Sequence, residues 1–402
     1  MTAARGSGKS TDRRAAERAR LGTTAVFFIC GIGHGTWAPR LAELKEQVGA
    51  SDGQLGMALL MIGLGALIAM PVTGLLIGRL GSRQVSITMA LAQALIFPLQ
   101  ALAWHWLALG AAMLLYGLAI ASLDVAMNVQ ATEIERRYGR PIMSSFHGGY
   151  SVGDMAGALL TGVAASIALG LASHFFLAAF FMLIAGVGGC LLMIADRQAE
   201  PSAGPTFALP KGVLIAIGLI AFASLLAEGS VGDWSAIYLI DYQHSDTETA
   251  AIALTVFAFA MAIMRFAGDR LVHRFGPFAI LQASGLLAAT GLTIALLAPS
   301  STVAILGYGV SGLGVAVLFP VTLSIAPRFS GGLSPGVSVA AVATLGYGGF
   351  LVGPPLIGLI ADHVGLPMAL GIVVLLTVSI LPLALLARRT PKGHDIRTSE
   401  ST

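Results

Sequence analysis

The sequence predicts an all-α membrane protein: twelve transmembrane helices in two pseudo-symmetric six-helix bundles around a central cavity. Three observations carry this expectation. The 402 residues are 56% hydrophobic and only 11% charged, with a mean hydropathy of +0.84, whereas a soluble domain carries about 25% charged residues. The apolar residues fall into twelve runs, each near or above the ~20 residues that a helix needs to cross the hydrocarbon core. Basic residues crowd alternate loops: 20 of the 23 Lys and Arg lie there, with Arg40 and Lys45 on the other side and Arg265 inside a run.

Taken in order, residues 1–20 are basic and polar and read as a cytoplasmic tail. They lack the apolar centre of a cleavable signal. The first six runs, 21–38, 54–77, 85–104, 106–132, 143–171 and 175–195, form an N-terminal bundle over 21–195. A polar, proline-containing linker follows at 196–211. The runs 212–239, 250–266, 278–298, 303–325, 336–361 and 368–387 then form a C-terminal bundle over 212–387, and 388–402 is a second tail. The excess of positive charge on the inner loops places both termini and the linker in the cytoplasm, with the chain crossing the cell (cytoplasmic) membrane many times. An even number of spans requires the two termini to agree, and they do.

The remaining composition bounds the chemistry. The 50 glycines suit helices that pack backbone to backbone in a bilayer. Cys30 and Cys190 both fall in apolar runs, without CxxC or metal-ligand spacing, so neither a disulfide framework nor a metal or other cofactor is expected. The net charge of +3 comes from tails and loops and gives no reason to expect a nucleic-acid partner. The expected partners are the lipid bilayer, a small-molecule substrate and protons, with the chain acting as a monomer.

Two echoes point to an internal repeat. The loop ending span two reads Gly74-x-Leu76-x-Gly78-Arg79-x-Gly81-Ser82-Arg83, and the loop ending span eight contains His273-Arg274-Phe275-Gly276. Gly149-Tyr150 in span five is echoed by Gly346-Tyr347 in span eleven at nearly the same offset. Parallel repeats of this kind are one of the ways transporter folds are built.

On these residues the chain resembles the major facilitator superfamily, whose loop signature is GxLxDRxGRR. It departs from that signature at Gly78, where the family carries an aspartate, and at His273 in the second half. In the family this loop latches the cytoplasmic gate, so the resemblance implies gating roles for Arg79, Gly81, Arg83, Arg274 and Gly276. Arg265 and Asp269, four residues apart, offer a substitute ion pair at helical spacing. The runs 128–148, 227–239 and 349–358 resemble a MosC-like bacterial subgroup near the fucose-type proton–sugar symporters. That resemblance implies a secondary active transporter working by alternating access, with proton-coupled uptake of a small polar solute such as a sugar, polyol or inositol.

The polar residues inside the apolar runs are the candidates for that work, because a charge at the centre of a membrane helix costs about 2.5–3.5 kcal/mol on insertion scales. At 1.5 Å per residue, Asp124 lies roughly 12 Å from its span end, Asp154 roughly 16 Å, His34 roughly 20 Å and Glu228 roughly 24 Å. Asp154, nearest the midplane, reads as a proton site or as a structural hydrogen-bonding partner of His147 or of a neighbouring helix. His147, Tyr150 and Asp154 share one helix face. His147 reads as a proton relay or a cap on the basic loop. Asp124 and Asn128, four apart, satisfy each other locally. His34 and Trp37 share a face, in a solute-binding arrangement or with Trp37 as an interface anchor. Glu228 precedes Gly229 and Gly232, which predicts a broken helix that frees backbone groups, with Asp233 and Trp234 at the outer interface. Glu133 and Glu135 read as a solvated cluster with Arg136 and Arg137. Pro354 and Pro355 remove two backbone donors from span eleven and read as a gating hinge.

Other function classes fit less well. An enzyme is not expected, since HExxH and the Walker motif GxxxxGK[ST] are absent from the sequence. A drug or metabolite exporter of this superfamily usually carries a Gly-Pro signature in span five, and here the Gly-Pro pair stands in span eleven. A membrane sensor is expected to append a soluble domain.

Overall fold

The computed structural model describes residues 4–139, 142–195, 210–329 and 335–389. Most of the expected linker and of the C-terminal tail lies outside the described residues. The chain divides into two compact units, Met1–Pro201 and Ser202–Thr402. Unit 1 contains α1 (Ala4–Trp37), α2 (Asp52–Leu80), α3 (Ser82–Leu102), α4 (Trp106–Tyr138), α5 (Met143–Ser166) and α6 (Leu171–Leu191). Unit 2 contains α7 (Val213–Asp241), α8 (Thr247–Phe275), α9 (Pro277–Leu296), α10 (Ser301–Phe329), α11 (Pro335–Val364) and α12 (Leu366–Arg389).

Ten of these, by length and composition, are apolar enough to cross a membrane. The two outside that set are α1 and α5, and these carry His34, His147 and Asp154. Their lower hydropathy has a plain cause: each gives up apolar positions to polar and small residues. α1 also corrects the expected boundary at Leu21, because the helix starts at Ala4. Its basic first half is rich in Ala and Arg, which are strong helix formers, so charge there does not end the helix. Arg20 lies over the ring of Tyr138, 5.3 Å from its centroid.

The helix ends repeat between the units. Ser51 caps α2 by accepting from Gln54 N, while the Gln54 side chain accepts from Ser51 N. Asp246, 195 positions on, caps α8 by accepting from Thr249 N, and the hydrogen bonds from Thr249 hold its carboxyl below the usual carboxylate range. At the other end, Gly81 has φ 83° and ψ 154°, and Gly276 has φ 80° and ψ 155°. Only glycine adopts that backbone without strain, and each donates its N–H back at 2.9 Å, to Ile77 O and Val272 O. Gln47 Nε2 donates to Ala103 O at 2.7 Å in unit 1, and Gln243 Nε2 to Ala298 O at 2.9 Å in unit 2.

Helix pairing repeats as well. In unit 1, α1 packs on α5 and α2 on α4; in unit 2, α7 packs on α11 and α8 on α10. Phe27, Cys30, Met127, Phe146 and Cys190 sit in the core of unit 1. Large apolar side chains such as Leu75, Leu95, Phe180, Phe266 and Leu375 are exposed, as is expected of helix faces that meet lipid tails.

Candidate functional site

The site in unit 1 is set by how closely α1 and α5 approach. A Cβ on Gly31 would run into Tyr150 O, one on Gly35 into Asp154 O, and one on Gly153 into Phe28 O. These small-xxx-small positions let the two backbones touch, as in membrane helix pairs generally. The contact brings His34 to Asp154, 120 positions apart in the chain. His34 Nδ1 lies 2.8 Å from Asp154 Oδ1, so one of the two holds the proton of that hydrogen bond. The side chains remain 39% and 24% accessible: the pair is reachable, not sealed. Asp154 stands eleven residues into a helix of 24.

Trp37 is buried beside this pair, its ring centroid 6.3 Å from that of His34. Its indole N–H is without a hydrogen-bond partner among the described residues. Trp37 is only 5% exposed, which corrects the reading of it as an interface anchor. His147 is exposed and sets its ring edge-on to Phe27, centroids 5.1 Å apart. The place beside Asp154 that the sequence offers to His147 is taken by His34. Tyr150 packs at the margin of the unit 1 core.

Asp124 and Asn128 pair as their spacing suggests. Asn128 Nδ2 donates to Asp124 O at 2.8 Å and to Oδ1 at 3.1 Å. Glu133 takes Arg136 and Arg137, both at 2.8 Å. Glu135, expected in that same ionic cluster, does something else: its Oε2 accepts from the N–H groups of Ile142 and Met143, both at 2.7 Å. It thereby satisfies orphan donors at the start of α5 and fixes where that helix begins. Sequence reasoning also missed a buried chain of polar groups, Cys30 Sγ to Gln93 Oε1 at 3.9 Å and Gln93 Nε2 to Tyr116 OH at 3.4 Å. It links α1, the His34 helix, to α3 and α4. Lone Gln and Tyr residues inside apolar runs were the available signal.

The gating candidates separate. Arg83 Nη2 donates to Leu191 O at 2.7 Å, tying the start of α3 to the end of α6. Arg79 is exposed, and Arg274 stacks on Phe275, 5.2 Å from its centroid. Arg265 corrects the expected pairing with Asp269: its Nη2 reaches Glu228 Oε1 on α7 at 3.2 Å, while Asp269 is exposed. Helix α7 runs unbroken from Val213 to Asp241, contrary to the break expected at Gly229 and Gly232. The i→i−4 ladder tolerates both glycines, and Gly229 lies against the Phe350 ring. Trp234, expected at the interface, is fully buried in unit 2. α11 likewise continues through Pro354 and Pro355. A cavity of about 10 Å³ in unit 2, lined by Ser230, Ser235 and Tyr308, has room for one water and no solute.

Known proteins resemble this chain along almost its whole length. The family model described as Major Facilitator Superfamily matches residues 23–240 and again 217–401. An uncharacterised MFS-type transporter of Yersinia pestis is 36% identical over 90% of this chain and 94% of its own length. The membrane protein MosC of Rhizobium meliloti is 32% identical over 87% of this chain and 86% of its own. Among solved structures, a point variant of the nucleoside transporter NupG superposes with a TM-score of 0.74 at 15% identity, covering 92% of this chain and 99% of that one. That last likeness is one of fold.

Proposed function

The chain belongs to the major facilitator superfamily of membrane transporters, and from that premise we propose proton-coupled uptake of a small polar solute by alternating access. The solute class is a sugar, polyol or inositol-like molecule. One observation supports this above the others: an imidazole and a carboxylate within 2.8 Å of each other, reachable, at the middle of a tightly packed helix pair. Such a pair sets an imidazole nitrogen and a carboxylate oxygen side by side, the two groups between which a proton is held. Trp37, buried beside His34, forms the wall behind the pair in this reading.

In this reading Asp154 and His34 carry the proton, Trp37 contributes to the solute site, and Asp124 with Asn128 keeps a supporting role. Pro354 and Pro355 serve α11 as a hinge, and the Gly81 and Gly276 turns hold the gate loops. The test is uptake into proteoliposomes. Labelled solute should accumulate when an inward proton gradient is imposed, and a protonophore should return it to equilibrium. Equal accumulation with and without the gradient would remove proton coupling from the account.

The same reading has a topology. Both termini and the linker are cytoplasmic, in keeping with the crowding of basic residues on alternate loops. Reporter fusions after Ala199 and after Arg397 should both read as cytoplasmic, and an outside signal from either contradicts a twelve-span path.

A further inference from the structure

We propose that Arg265 binds a carboxylate of the transported solute, and that Glu228 occupies Arg265 in its absence. The substrate is then an acidic member of the polyhydroxylated class, a sugar acid or hydroxy acid. This rests on the reading of the chain as a carrier of a small polar solute and narrows it.

Position is the first argument. Glu228 stands fifteen residues into the 29 of α7, and Arg265 eighteen residues into the 29 of α8. Both helices are apolar enough to span a membrane. Ionisable groups at such depth face a protein interior or a water-filled space, and they mark substrate or ion paths more often than they serve as glue.

Geometry is the second. The chain contains a closed arginine–glutamate pair for comparison. Arg40 Nη1 meets both Glu43 oxygens at 2.7 Å, Nη2 donates to Leu169 O at 3.1 Å, and the arginine side chain is 4% accessible. That pair ties the turn after α1 to the start of α6 and excludes exchange. The Glu228–Arg265 contact is end-on, one Nη2 to one Oε1 at 3.2 Å, with side chains 23% and 37% accessible. Charge-assisted hydrogen bonds in tight pairs run to about 2.7–2.9 Å. A guanidinium presents a fork that fits a carboxylate edge-on through two parallel N–H groups. A solute carboxylate arriving edge-on makes a better partner than Glu228 does here.

Surroundings are the third. Gly229 adjoins Glu228 and lies against the ring of Phe350 on α11, which is itself 39% exposed. An accessible aromatic face next to a charged fork suits a molecule with one acidic end and a carbon chain.

The experiment compares gluconate with sorbitol, the acid and the alcohol on one carbon skeleton, by titration calorimetry on the purified full-length chain. Wild type should bind gluconate at least about tenfold tighter than sorbitol. Glu228→Gln removes the resident competitor, so gluconate binding should hold or tighten by about threefold to tenfold. Arg265→Gln should weaken it at least about tenfold. The double variant removes both charges of the pair together, and it should bind gluconate as weakly as Arg265→Gln. Equal affinity for sorbitol, failure of gluconate and other polyhydroxy acids to bind, or full binding by the double variant would each overturn the proposal. Gradient-driven uptake of a neutral polyol, indifferent to Arg265, would overturn it while leaving the carrier reading standing.

Discussion

Asp154→Asn should abolish uphill accumulation and leave solute exchange intact. The substitution keeps the size of the side chain and an oxygen that accepts from His34 Nδ1 at the 2.8 Å contact. It removes the ability to take up a proton. With one proton per solute, a one-unit pH gradient sustains at most about tenfold accumulation in wild type. The variant should fall to an inside-to-outside ratio near unity. Exchange between equal concentrations needs no net proton movement, so counterflow should continue at a rate comparable to wild type. Loss of both activities would mean that Asp154 holds the helix pair together; survival of accumulation would pass the proton to Asp124 or Glu228.

Gly35→Ala should be among the most damaging single methyl groups that can be added to unit 1. Its Cβ would meet the main-chain oxygen of Asp154 itself, and a backbone carbonyl inside a helix cannot swing aside as a side chain can. α1 must then move off α5 at the point where His34 and Asp154 meet. Overpacking of this kind costs about 1–3 kcal/mol, occasionally more, and thermal unfolding in detergent should drop by several degrees. Transport should fall further than stability does, because the displacement falls on the hydrogen-bonded pair. Gly74→Ala is the control: nothing lies within 4 Å of its Cβ position. An alanine there should be neutral or stabilise α2 by up to about 1 kcal/mol through the unfolded chain. Matching behaviour of the two variants would deny the close crossing its role.

Sequence rules succeed here where a physical constraint acts within one helix. Apolar length marks the helices, the glycines at 81 and 276 mark matching turns, and the spacing of Asp124 and Asn128 marks their hydrogen bond. The rules fail where two helices have to meet. Periodicity says which face of its own helix a residue occupies and nothing about which neighbour comes opposite. Hence spacing matches Asp154 with His147 on its own face, and the fold pairs it with His34. Spacing matches Arg265 with Asp269 one turn on, and the fold pairs it with Glu228 across α7 and α8. A usable signal is present: Gly31 and Gly35 on α1, with Gly153 and Gly157 on α5, carry the spacing of a close helix crossing. Matching those two stripes places His34 beside Asp154. The helix break expected near Glu228 and the outer position of Trp234 come from weighing glycine as a breaker. In a membrane helix it serves packing instead.

The most direct measurement is the pH inside proteoliposomes, followed with a trapped dye while solute is added outside. Wild-type protein should acidify the interior in proportion to solute entry, without an imposed gradient. Asp154→Asn should show no acidification while still exchanging labelled solute. Solute entry without acidification in wild type, or equal acidification in Asp154→Asn, would contradict proton coupling through the His34–Asp154 pair.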